Sequence, residues 1–192
     1  SEKAAPQADL FITTDAGALD RADAAGLLDE LDNKTLADRI PAGLQGKNGT
    51  WVPITMRARV IVYSKERAGN NLPKTYEDLA DSQWKGRVLI RSSSNAYNQS
   101  LLASILAAEV RDAALAWAKG VTANMARPPQ GNDHDQVRSV ALGLGELAVV
   151  NTYYLGLLEN ADDPKDRAAR AAVGVIFPNQ AGRGAHVNVS GA

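Results

Sequence analysis

The sequence predicts an α/β fold, and three observations predict it. Short apolar stretches typical of buried strands recur along the chain, and patterns of helical spacing lie between them. Three segments share one order of apolar strand, polar loop and helix: 8–17, 87–100 and 146–156. Strands that alternate with helices favour a mostly parallel sheet with helices on its faces, and such sheets bind ligands where strands end and helices begin.

The first half of the chain is expected to contain two strands, over 8–14 and 57–65, and two helices, over 17–31 and 75–86. The segment 57–65 is β-branched and alternating, and it has the strongest strand pattern in the chain. Thr75 followed by Asp78 is a helix start signal, and Gly86 is a stop signal.

The second half is expected to continue with a strand from 87, helices over 96–110, 111–125 and 134–145, a strand over 146–151, a helix over 152–163, and strands over 173–179 and 185–191. Apolar residues from Leu101 to Leu106 recur at a spacing of three or four, which is typical of a helix. A polar loop spans 127–135, and Asn132 or Asp133 is expected to cap the helix after it.

Composition excludes several classes of function. The 192 residues are 45% hydrophobic and 22% charged, which is ordinary for a globular protein. The formal net charge of −1 argues against nucleic acid as a partner, because no net positive field attracts phosphate. The absence of cysteine excludes disulfides, zinc–thiolate sites and cysteine nucleophiles. No apolar run reaches the 18 residues of a membrane span.

Tyrosines are scarce, yet they concentrate at two strand-to-helix junctions. The chain has five, of which Tyr153 and Tyr154 are adjacent at one junction and Tyr97 occupies the matching junction after 87–95. Ordinary packing, with each hydroxyl paired, is one interpretation. If the two loops converge, three phenols face one place, where rings could stack on a sugar or quaternary amine or phenolates could bind a hard cation.

The energetics favour iron(III) among cations. A free phenol has a pKa of about 10 and keeps its proton at neutral pH, so only a strongly polarising ion displaces that proton. Three phenolates also cancel a charge of 3+, so the site need not bury net charge.

Other polar groups allow two interpretations each. Ser92–Ser94 and Asn95 precede a helix and could bind an anion, although their position favours plain capping by Ser94 or Asn95. Arg57 and Arg59 share one face of their strand, either as a solvated edge or as cationic support for phenolates or an anion. Neither His134 nor His186 has a partner at metal-ligand spacing, and no nucleophilic triad or phosphate-binding motif is present.

Longer motifs identify a family. The segments SSSNAYNQS and NTYYLG, together with ADLFITTDAG, RARVIVYSKERAG and VGVIFPNQAGRGAHVNVSGA, resemble periplasmic ferric-iron-binding proteins of bacterial ABC transporters, especially their cyanobacterial-type branch. The resemblance covers essentially the whole chain. It implies the class II periplasmic-binding-protein fold, in which two α/β lobes joined by crossing strands close on one ligand.

The resemblance also implies roles for individual residues. The iron(III) ligands would be Tyr97, Tyr153 and Tyr154, with Arg57 behind them. A synergistic anion such as carbonate or citrate would contact residues at a helix start and nearby amides, for which the candidates are Ser93, Asn95, Asn132 and Asn151. The protein would be periplasmic, although no signal peptide is in this chain, and would deliver iron to the membrane permease of an ABC transporter.

The implied lobes are 1–58 for part of the first lobe, 59–63 for a crossing strand, 64–174 for the second lobe, and 175–192 for the return crossing and re-entry into the first lobe. Relatives start with a further strand that supplies another tyrosine, so the chain is expected to be truncated at both ends, with an incomplete first lobe. Leu157 departs from an arginine common in close relatives.

Two other functions remain open at this point. The chain could bind another small solute, such as an organic anion or a polyamine stacked on the tyrosines. An enzyme with a tyrosine general base is the alternative from a different class, but the chain offers neither a triad nor a carboxylate pair to support it.

Overall fold

A computed structural model describes residues 8–31, 35 and 38–192, and these fall into two compact units. The first unit comprises Ser1–Arg57 and Val187–Ala192, and the second comprises Ala58–His186. The lobe boundaries expected from the sequence remain a prediction. In the described part of the chain, every helix is too short or too polar to cross a membrane.

The described helices are α1 (Ala16–Ala24), α2 (Ala96–Ala108), α3 (Arg111–Ala123), α4 (Asp133–Ala141), α5 (Tyr153–Glu159) and α6 (Pro164–Ala172). The strands are β1 (Pro53–Ser64), β2 (Val88–Leu89), β3 (Leu147–Asn151), β4 (Val173–Ile176) and β5 (Val187–Gly191). Short 3-10 turns occupy Ala42–Leu44, Glu77–Ala80 and Ser82–Trp84.

The sheet is mixed, so the expectation of a mostly parallel sheet is wrong. The strand order is β2-β3-β1-β4, with β5 also paired to β1. The central strand β1 runs antiparallel to both β3 and β4, and only β2 and β3 pair in parallel. Because β2 and β3 are parallel neighbours, their carboxyl ends lie at the same edge of the sheet.

Alternation along the strands buries both faces of the sheet in the second unit. Ile61 and Val149 face one hydrophobic cluster, which α2 and α3 complete. Val60 and Val150 face the other, which α4 and α5 complete. Helices therefore pack on both faces, as predicted, and α2 and α5 reach the same sheet edge from opposite sides.

In the first unit, the strand predicted over 8–14 is wrong. Only Thr13 pairs, through an isolated antiparallel bridge to Gly191. Leu10, Phe11 and Ile12 are instead exposed, and within the described residues no strand packs on this apolar stretch. The predicted helix over 17–31 is present but shorter, because α1 ends at Ala24 before the left-handed Gly26, whose φ is 63°.

Two predictions in the second unit also need correction. The segment 75–86 forms two 3-10 turns rather than one helix. The start signal is real, since Thr75 and Asp78 exchange side-chain-to-backbone hydrogen bonds, but tertiary packing prevents the helix from continuing. Asn124 on the buried end of α3 donates to the Leu79 and Asp81 carbonyls, which an uninterrupted helix would bond internally. Helix α6, begun by Asp163 and Pro164, was not predicted at all.

Candidate functional site

The candidate site lies in the second unit, where β2 and β3 end and α2 and α5 begin. Asn95 caps α2, and its side-chain oxygen accepts a hydrogen bond from the Tyr97 N–H at 3.1 Å. The start of α5 is tied to β1, because the Thr152 N–H donates to the Ala58 carbonyl at 3.0 Å. The start of α5 is thus fixed relative to the sheet and carries two tyrosines, while the capped start of α2 carries Tyr97.

The three tyrosines singled out from the sequence converge. The rings of Tyr153 and Tyr154 lie 4.4 Å apart between centroids and are tilted by 30°. The hydroxyl groups of Tyr97 and Tyr154 both lie in hydrogen-bonding range of Tyr153. Adjacent residues on a helix diverge by about 100°, yet at the first turn of α5 two neighbouring phenols come together.

The environment of Tyr153 favours its neutral form in the absence of a cation. Burial and the hydrogen bond with Tyr154 raise the pKa of Tyr153, while Asn151 and Tyr97 lower it. Tyr153 is nevertheless 39% exposed, so an ion can reach it from solvent. Among the described residues, no group of three or more His, Cys, Asp or Glu side chains could hold a metal ion.

The residues considered for anion binding split into exposed and buried ones. Ser93 is exposed before α2, and Asn95 is used as the cap of that helix. Asn132 caps α4 in a reciprocal capping box with Asp135, as the sequence predicted for this position. Asn151 is completely buried at the end of β3, directly before the tyrosine pair.

The two arginines of β1 have different surroundings. Arg57 belongs to the first unit, where it donates to the Ser190 hydroxyl at 2.7 Å and to the Thr14 carbonyl. Arg59 is completely buried in the second unit and Arg57 is only 6% exposed, so the solvated-edge interpretation is wrong for both. It forms an ion pair with Asp133, which is equally buried, at 2.6 Å.

A buried polar network underlies the tyrosines. The Arg59 guanidinium also donates to the side-chain oxygen of Asn98 at 2.6 Å and to that of Asn151 at 3.2 Å. Asp133 accepts the backbone N–H of Asn151 at 2.7 Å and lies 3.4 Å from the Arg91 guanidinium. The network connects the ends of β2 and β3 with the starts of α2 and α4.

Sequence reasoning missed the partners in this network. Asp133 was considered only as a possible helix cap, and Asn98 was not considered. A pairing rule could have pointed to such a partner, because an arginine on a buried strand requires a carboxylate. The interpretation of His134 also changes, because its ring lies 6.1 Å from that of Tyr154 and its Nε2 is 4.0 Å from Asp166.

Two further positions complete the comparison with the sequence. Leu157, which stands where the resemblance implies an arginine in close relatives, is 58% exposed on α5. His186 contacts the Ser100 hydroxyl through Nε2 at 2.9 Å. Two cavities, of about 920 and 840 Å³, are lined by other residues and include none of the tyrosines.

The chain is similar to known bacterial proteins. The model of a family described as bacterial extracellular solute-binding protein matches residues 5–188. Iron uptake protein A1 of Synechocystis is 48% identical over 191 residues, an alignment that covers 100% of this chain and 53% of that protein. The chain thus spans about half the length of this curated relative.

Solved structures are similar over the whole chain. A Trichodesmium protein in complex with iron and citrate ligands is 48% identical, with a TM-score of 0.93 over 99% of this chain and 60% of that one. The apo form of FutA2 from Synechocystis is 42% identical, with a TM-score of 0.92 over 99% of this chain and 62% of that one. These likenesses confirm the fold class predicted from the sequence, that of class II periplasmic binding proteins.

Proposed function

Given that the chain belongs to the family of bacterial extracellular solute-binding proteins, we propose that it binds ferric iron through the phenols of Tyr97, Tyr153 and Tyr154. Members of this family carry a solute and do no covalent chemistry on it. The tyrosines therefore act as ligands rather than as a general base.

The observation that carries the proposal is the meeting of three phenols at one sheet edge. Tyr97 comes from α2 on one face of the sheet, and Tyr153 and Tyr154 come from α5 on the opposite face. Tyr97 and Tyr154 nevertheless both lie within hydrogen-bonding range of Tyr153. Iron(III) is the ion that suits this donor set, because it can displace phenol protons at neutral pH and three phenolates balance its charge.

An anion completes the proposed coordination. Three phenols leave positions on the ion open, and carbonate or citrate can fill them from the solvent side. The similarity to a Trichodesmium protein solved with iron and citrate supports this part of the proposal. Ser93, Asn95 and Asn132 lie at the starts of α2 and α4, where free backbone N–H groups favour an anion.

The biological role is inferred from the family. We propose that the protein works outside the cytoplasm, in the periplasm, and hands iron to the permease of an ABC-type importer. The names of the relatives support iron as the cargo, since one is an iron uptake protein and another was solved with iron. Arg57, which lies next to Ala58 on β1, is proposed to support the phenolates once iron is bound.

The test is a visible spectrum recorded while ferric citrate is added. Phenolate-to-iron(III) charge transfer gives an orange to red band in the wild-type protein. We expect the Tyr153→Phe, Tyr154→Phe double variant to lose the band and to bind iron more than about 100-fold more weakly, which exceeds the usual cost of losing one outer partner. Tyr63→Phe, on β1, is the matched control and should keep both the visible band and the iron affinity.

Two outcomes would contradict the proposal. A wild-type protein without a visible band does not use phenolates, and a band that survives in the double variant comes from other ligands. Citrate added without iron separates the alternative solutes: heat of binding to citrate alone, lost in the double variant, would favour an organic anion as the solute.

A further inference from the structure

Asn98, the residue after Tyr97 on α2, uses both edges of its amide in bonds to other segments of the second unit. Its Nδ2 donates to the Arg91 carbonyl at 2.7 Å and to the Ser92 carbonyl at 3.2 Å, just beyond the end of β2. Its Oδ1 accepts from the Arg59 guanidinium on β1 at 2.6 Å. All three partners lie outside α2, so one side chain ties this helix to β1 and to the chain that leaves β2.

The orientation of this amide follows from the chemistry of its partners. A guanidinium carries only donors and a carbonyl oxygen only accepts, so Oδ1 must face Arg59 and the Nδ2 hydrogens must face the two carbonyls. Arg59 is itself held in place, because it is 0% exposed and donates to Asp133 at 2.6 Å. The amide therefore joins fixed groups in a single arrangement.

These bonds act on the turn of α2 that carries Tyr97. Tyr97 and Asn98 share the first turn of the helix, and the Asn95 cap on the Tyr97 N–H binds only within this local segment. Ser100 also bonds His186, at 2.9 Å, but through one contact further along the helix. With three bonds against one, Asn98 is the stronger attachment of the helix start to the rest of the unit.

We propose that Asn98 is a positioning residue, which holds the start of α2 where Tyr97 can bind iron together with Tyr153 and Tyr154. The inference rests on the proposed function. A ligand side chain has to be held within about 0.5 Å of its productive position. The start of α5 is bonded to the sheet through its backbone, and Asn98 gives α2 the corresponding attachment. Without it, α2 can shift against the sheet, and Tyr97 is the ligand that is displaced.

The decisive variant is Asn98→Ala, made in the wild type and in Tyr97→Phe. Alanine forms helices better than asparagine, so any loss comes from the missing bonds rather than from the helix itself. Asn98→Asp is the second variant, because it keeps an acceptor for Arg59 and gives up both donors to the carbonyls. Asn124→Ala is the matched control, since the Nδ2 of Asn124 likewise donates to two backbone carbonyls, at 2.9 and 2.7 Å, at the end of α3.

Iron affinity is measured by competition against citrate, at a temperature below the thermal unfolding of every variant. We expect Asn98→Ala to bind iron about 10- to 100-fold more weakly than the wild type, with a visible band that resembles that of Tyr97→Phe. In the Tyr97→Phe background, where this ligand is already absent, the same change should weaken binding about 2-fold or less. The charge added by Asn98→Asp acts on iron in both backgrounds, so it cancels in the same comparison. Asn124→Ala should unfold at a lower temperature and keep its iron affinity.

The outcomes separate the inference from the proposed function. A wild-type protein without a visible band contradicts iron binding by phenolates, and the inference with it. A normal wild-type band together with unchanged affinity in the Asn98 variants that fold would overturn the inference alone. An equal loss of affinity with and without the Tyr97 phenol would also overturn it, because the effect would then come from general loosening. If neither Asn98 variant folds, Asn98 serves the stability of the unit and the inference is equally overturned.

Discussion

Replacement of Asp133 by alanine should strongly destabilise the second unit. Asp133 and Arg59 are both 0% exposed, and the ion pair between them is 2.6 Å long. Burial lowers the pKa of the Arg59 guanidinium, and the Asp133 carboxylate acts in the opposite direction. Without the carboxylate, Arg59 is left as a buried charge whose remaining contacts are to neutral oxygens.

The magnitude is set by the burial of both partners. Breaking a fully buried pair by removing one member costs about 3–5 kcal/mol, a large part of the 5–15 kcal/mol that stabilises a typical domain. With a urea slope of about 2 kcal/mol per M, the unfolding midpoint should fall by roughly 2 M. Far-UV circular dichroism, which reports the helices of this unit, measures the midpoint.

Glu146→Ala is the matched control. It breaks the Arg87–Glu146 pair, whose side chains are 31% and 23% exposed, so solvent can replace the lost partner. We expect a loss of at most about 1 kcal/mol. If Asp133→Ala costs no more than Glu146→Ala, then Arg59 is hydrated after all, and the account of a dry network beneath the tyrosines is refuted.

Two further predictions concern glycines and alkaline stability. Gly120→Ala should lower the free energy of unfolding by about 1–3 kcal/mol, because its new Cβ would lie 3.0 Å from the Ala80 carbonyl oxygen. The new Cβ of Gly156→Ala meets nothing within 4 Å, so this substitution should raise the free energy of unfolding by roughly 0.5–1 kcal/mol. Urea unfolding measures both, and equal effects would contradict the packing described. Burial raises the pKa of Tyr76 to about 12, above the value near 10 of an unfolded phenol, so the unfolded chain loses this proton first and stability should fall from about pH 10 to 12. Urea midpoints across that window should fall less steeply in Tyr76→Phe, and parallel curves would refute the assignment.

The sequence predicted the elements with strong periodic patterns. Helices α2 and α3 and strands β1 and β3 lie where alternation or helical spacing placed them, because their buried faces are the signal itself. The direction of the strands is not encoded in periodicity. An alternating strand reads the same whether its neighbour runs parallel or antiparallel, and β1 is antiparallel to both of its neighbours in the second unit.

The site was predictable in part for a similar reason. The placement of tyrosines at two strand-to-helix junctions pointed to one sheet edge, and the structure brings Tyr97 close to Tyr153 there. The residues beneath them were not predictable from local pattern. Asp133 is 74 positions from Arg59, and only the fold brings a helix start against the middle of a strand.

The tyrosines and the charges beneath them all come from one uninterrupted stretch, Ala58–His186. The flanking unit is instead assembled from two separate pieces of the chain, one before this stretch and one after it. Substitutions in the flanking pieces therefore fall in a part of the chain that supplies none of these side chains. Selection on the residues around the tyrosines and selection on the flanking pieces can therefore act on different codons.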